Sequence, residues 1–85
     1  MFITVEPTQA NIDAISCADG FRFRFGKSPF GLQALIKSER GITQWQTVEM
    51  IRNPNGDPKW IGVYIDGKGE YRFESSRLIG IRIEV

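Results

Sequence analysis

The run Phe21-Arg22-Phe23-Arg24-Phe25, followed by Gly26-Lys27, interleaves three rings with three cations. Surfaces that bind single-stranded nucleic acid use this mixture, because bases stack on rings while phosphates contact cations. In a β-strand, however, successive side chains point to opposite faces. If the rings stack bases, the arginines face away; if the arginines hold phosphate, the rings are core. Buried phenylalanine beneath exposed arginine is the ordinary arrangement, and it is our reading of the segment. Arg22, Arg24 and Lys27 remain the best basic cluster in the chain.

Five other segments invite a chemical reading and do not sustain it. Gly26-Lys27-Ser28 matches the last letters of a phosphate-binding P-loop, but the upstream glycine of that motif would be position 21, which is Phe21, and Pro29 breaks the continuation. Asn53-Pro54-Asn55-Gly56-Asp57 has the alternating oxygens of a calcium loop. Its sixth position is Pro58 and its twelfth Tyr64, where the motif requires glycine and glutamate. Glu70 and Glu74 share a strand face, but at ~3.3 Å per residue they stand roughly 13 Å apart, beyond the spacing used by glycosidase carboxylates. Cys17 has no neighbour to lower its pKa, so it reads as a structural thiol. Asp66-Gly67-Lys68-Gly69 reads as a turn with left-handed glycines.

Composition narrows the chemistry further. The chain has no histidine and one cysteine, which removes Ser-His-Asp and Cys-His nucleophile systems, histidine-containing zinc sites and Cys₄ metal sites. No metal or cofactor is expected. Eleven basic residues against ten acidic ones leave a net charge of +1, so any attraction for nucleic acid or anionic lipid must come from a local patch. A lone cysteine permits no internal disulfide, and the N-terminus lacks the basic and apolar regions of a signal peptide. No apolar run approaches the length of a membrane span, and the reading is a cytoplasmic protein without a membrane association.

These residues must be positioned by one domain covering residues 1–85, since 85 residues allow a single core. Phe2 to Glu6 reads as a strand stopped by Pro7, and Thr8 as the cap of a short helix over Gln9 to Ser16. Residues 30–40 admit two readings. Ser28, Pro29, Leu32, Leu35, Ile36 and Gly41 fit a helix, whereas Gly31 to Ser38 also fits a strand turning at Glu39-Arg40-Gly41. Thr43 to Arg52, Lys59 to Ile65 and the Tyr71–Glu74 stretch form a meander joined by the turns at 53–58 and 66–69. Ser75-Ser76-Arg77 is a short crossing into a last strand in which Ile79, Ile81, Ile83 and Val85 are expected on the dry face. The expected class is mainly β: a small, strongly curved antiparallel sheet or an SH3-like, partly open barrel, with one or two short helices.

Trp45 and Trp60 carry the largest apolar surfaces, and Tyr64 and Tyr71 add amphipathic rings. On the Thr43–Ile51 run neither face is cleanly apolar, so a bulge or a covering subunit is implied, and we expect the strand of Trp45 to contribute to a homodimer. The functional expectation is a non-enzymatic module acting through protein contact. The alternative is a single-stranded nucleic-acid binder with phosphate on Arg22, Arg24 and Lys27 and a base on Trp45 or Tyr71, which is not favoured. A third class, an enzyme with its site at a subunit interface, has no recognisable constellation behind it.

Overall fold

The computed structural model describes residues 1–16, 31–53 and 56–84. Its elements are β1 (Phe2–Val5), α1 (Gln9–Ser16), β2 (Leu32–Lys37), β3 (Thr43–Ile51), β4 (Trp60–Ile65), β5 (Gly69–Glu74), a 3₁₀ turn (Ser75–Arg77) and β6 (Leu78–Glu84). The strands form one antiparallel sheet in the order β1-β6-β2-β3-β4-β5. The expected class is therefore what the chain adopts, in its open form. Among the described strands, β1 and β5 are the edges. The crossing at Ser75–Arg77 returns the chain from β5 to β6, which pairs with β2.

Local chemistry fixes the element boundaries. Thr8 caps α1 as its sequence position implies: its Oγ1 accepts from the Asn11 backbone N–H at 3.2 Å, and Asn11 Nδ2 donates back to the Glu6 carbonyl at 2.8 Å. Ile12 and Ile15 face the core from this helix. The ambiguity over residues 30–40 resolves as a strand at Leu32–Lys37. Leu32, Ala34 and Ile36 are buried in alternation, so period 2 prevails over the helical spacing of Leu32, Leu35 and Ile36. The hairpin closes where Gly41 N–H donates to the Ser38 carbonyl at 2.9 Å. Between β4 and β5, Gly67 and Gly69 have φ of 78° and 90°, a conformation that residues with a Cβ rarely adopt. The arginine-phenylalanine run 21–25, Lys27 and Cys17 lie outside the described residues.

One strand shapes the sheet. Thr43 to Thr47 of β3 pair with β2, whereas Val48 to Ile51 pair with β4. This exchange explains why neither face of β3 is uniformly apolar. Val48 and Met50 face the core beneath β4, while Gln44 and Gln46, on the same side of the strand, line the mouth of a groove. The core on the concave side is built from Leu32 and Ala34 of β2, Val63 of β4, and Ile81 and Ile83 of β6, all fully buried. Leu32 lies opposite Ile83 and Ala34 opposite Ile81.

The last strand departs from simple alternation. Leu35 pairs with Gly80 and Ile36 with Leu78, so Ile79 is an extra residue in β6, a β-bulge. Leu78 takes the buried position and Ile79 is 44% exposed. The expected dry face therefore holds for Ile81 and Ile83 and fails for Ile79, because the bulge reverses the phase of everything before Gly80, while Val85 lies outside the described residues. Leu32→Ala is predicted to cost about 2–5 kcal/mol in urea unfolding with the denaturant slope unchanged, a large share of the ~4–13 kcal/mol expected for a domain of this size. A loss below about 1 kcal/mol would place Leu32 outside the core.

Candidate interaction surface

The convex face of the sheet is assembled by the alternation that fills the core. Arg82 sits between the fully buried Ile81 and Ile83, so its side chain must leave on the opposite side. Its Cζ lies 4.6 Å from the centroid of the Phe2 ring, on neighbouring β1, and 4.2 Å from that of Trp45, two strands away on the other side. Its Nε donates to Gln33 Oε1 at 2.7 Å, from the strand between β6 and β3. Guanidinium stacking on rings combined with a fixed hydrogen bond holds the side chain in one orientation. Gly80 completes the arrangement. A Cβ there would stand 3.3 Å from Trp45 Cη2, so the bare backbone is what lets the indole lie across β6.

The same face continues over the second half of the sheet. Trp60 carries the Arg72 guanidinium 5.2 Å from its ring centroid, and Tyr64, opposite Glu49 and Glu70, is 43% exposed. Two arginines thus lie on tryptophan rings, with Phe2 and Tyr64 presenting further aromatic surface. Tryptophan, tyrosine and arginine are the residue types that dominate binding energy at protein interfaces.

On the concave side, a groove of about 390 Å³ opens beside the β2–β3 and β4–β5 turns. Its apolar part is Ile36, Ile65 and Phe73, and its rim holds Gln46, Lys68, Tyr71 and Arg77. Lys68 Nζ donates to Gln46 Oε1 at 3.5 Å, and Arg77 Nε donates to the Lys37 carbonyl at 2.7 Å. Tyr71 is 48% exposed. The volume falls in the range of small-ligand clefts, ~300–1,000 Å³.

Of the residues singled out from sequence, Arg22, Arg24 and Lys27 lie outside the described residues, while Trp45 and Tyr71 stand on opposite faces of the sheet. Trp45 belongs to the arginine-aromatic face and Tyr71 to the groove, so the two rings cannot serve one ligand. Sequence reasoning missed Phe2, Gly80 and Arg82 as the companions of Trp45. The isoleucines flanking Arg82 signal that it points away from the core, but its meeting with Trp45 depends on the strand order β6-β2-β3, which alternation does not encode. Among the described residues no group of three acidic, histidine or cysteine side chains could hold a metal ion, and no helix is long and apolar enough to cross a membrane.

Arg82→Ala is predicted to lower stability by about 1.5–3.5 kcal/mol, from two exposed cation–π contacts and one hydrogen bond. Arg82→Lys should recover less than half of that, because an ammonium neither stacks flat nor reproduces the Nε bond. Equal stability of Arg82→Lys and wild type in urea unfolding would contradict the stacked geometry. Comparison with protein-family models, with curated proteins and with solved structures finds no match to the chain.

Proposed function

We propose that the protein is a non-enzymatic contact module that works as a homodimer and engages a further protein partner through the convex face of its sheet. The observation carrying this reading is the Arg82 guanidinium held against Phe2 and Trp45 over Gly80. Arginine and aromatic rings fixed in place before binding lose little conformational freedom when a partner arrives, which is what makes such residues effective anchors. Trp45, in the half of β3 that pairs with β2, stands opposite Leu35 and projects its ring onto the convex face. Its contribution to an interface on that face comes from the ring.

A photo-crosslinking residue placed at Tyr64 is expected to capture a discrete partner, and Trp45→Ala in the same chain to abolish that capture while the protein stays folded. Capture unaffected by Trp45→Ala, or obtained only from a probe at Ile42 beside the groove, would contradict the convex face as the contact surface.

The groove supports a second reading, a single-stranded nucleic-acid site. Tyr71 offers an exposed ring with Lys68 and Arg77 on the same rim, which favours it over Trp45 as a stacking platform. On this reading, labelled single-stranded DNA or RNA binds with a marked salt dependence that Tyr71→Ala and Lys68→Ala weaken. Arg22→Ala with Arg24→Ala flattens the salt slope if that cluster also reaches phosphate. Flat anisotropy curves at low salt would end it.

A further inference from the structure

We propose that the protein dimerises by pairing the free edge of β5 with β5 of a second copy, antiparallel, with Tyr71 opposite Tyr71 of the partner subunit. The proposal deepens the homodimer of the preceding reading and rests on it.

Among the described strands β5 and β1 end the sheet, and an edge strand presents unpaired N–H and C=O groups that another chain can take up. The two edges differ. β1 has four residues and runs into Pro7 two positions after its end, whereas β5 has six, contains no proline and carries no bulge in its pairing with β4. Of these two end strands, β5 offers the regular edge of useful length.

The order of charges along β5 selects the register. Glu70, Arg72 and Glu74 lie on the solvent face, and Tyr71 and Phe73 on the concave side. Residues directly opposite in an antiparallel pair share a face, and their Cβ atoms approach within ~5 Å. Centring the pair on Tyr71 puts Glu70 opposite Arg72 of the partner subunit, and two-fold symmetry makes the same contact a second time. Sliding two residues one way sets Glu70 against Glu70 of the partner subunit. Sliding the other way sets Arg72 against Arg72 of the partner subunit and Glu70 against Glu74 of the partner subunit. Both place like charges together. A slip of one residue turns the core face of one copy toward the solvent face of the other.

One more register is charge-matched: Arg72 opposite Glu74 of the partner subunit, centred on Phe73. It runs the pairing past Glu74 into the 3₁₀ turn, where the Ser75 N–H is already donated to the Lys59 carbonyl at 2.8 Å. Of the two charge-matched registers, the Tyr71-centred one keeps the pairing within β5. It also sets the half-exposed tyrosines against each other across the two-fold axis, an aromatic cross-strand pair that adds to the ladder.

A charge exchange tests this, with mass measured by light scattering after gel filtration and dissociation followed by analytical ultracentrifugation. The wild type is expected to be a dimer at tens of micromolar. Glu70→Arg and Arg72→Glu, each placing two like-charged pairs in the interface, should raise the dissociation constant about tenfold, and the double variant Glu70→Arg/Arg72→Glu should restore it. Urea unfolding confirms that each variant is folded. A monomeric wild type overturns both the interface and the homodimer. A dimer insensitive to Glu70→Arg, or a double variant no tighter than the single ones, overturns the Tyr71-centred interface. If Trp45→Ala then disrupts that dimer, the homodimer stands on the convex face instead.

Discussion

The change of partner along β3 is the constraint on which the rest of the molecule depends. A nine-residue strand whose first half is bonded to β2 and whose second half is bonded to β4 cannot lie flat; the right-handed twist of strands turns the two halves of the sheet against each other. The concave side then closes over Leu32, Val63, Ile81 and Ile83, and the convex side gathers what the core rejects. Because the sheet is bent rather than closed, two consequences follow together: the groove beside Gln44 and Gln46, and an edge at β5 that no other described strand covers.

Both faces set arginine on an aromatic ring, Arg77 lying 5.7 Å from the Phe73 centroid in the groove, and the convex face does so with two arginines. The convex face holds arginines against rings, Arg82 on Phe2 and Trp45, and Arg72 on Trp60. Arg82 is partly buried and held by its bond to Gln33, which suits it to contact another surface rather than to neutralise freely moving anions. The groove keeps Lys68 and Arg77 at its rim with Tyr71 beside them. A small domain that hides only about 60% of its unfolded surface has strong reason to bury more by association, and the convex face and the edge of β5 are the surfaces proposed for that role.

Much of this could be read from residue order. The Thr8 cap, the helix to Ser16, the turn at 66–69 and the crossing at Ser75–Arg77 all follow from local chemistry that a linear sequence carries. Residues 30–40 were ambiguous because Leu32, Leu35 and Ile36 satisfy a helical period as well as Leu32, Ala34 and Ile36 satisfy a strand period. Only the pairing with β3 and β6 decides between them. Ile79 was misplaced because a bulge leaves no mark in an alternating run. The site was less legible than the fold. Trp45 could be named as costly apolar surface, but its contact with Arg82 spans three strands and 37 positions of sequence, and the small residue that permits it, Gly80, reads in isolation as a weak point in a strand.

The central claim is that this is an open sheet whose outer surfaces are made for contact, beginning with its own β5. Amide hydrogen exchange resolved along Gly69–Glu74 tests it most directly, because alternate N–H groups of β5 point away from β4 and meet no other described strand within one chain. The account predicts that these alternate amides exchange slowly in concentrated protein and become fast on dilution, while those bonded to β4 stay slow throughout. Edge amides that exchange fast at every concentration, with the β4-bonded ones protected, would contradict it.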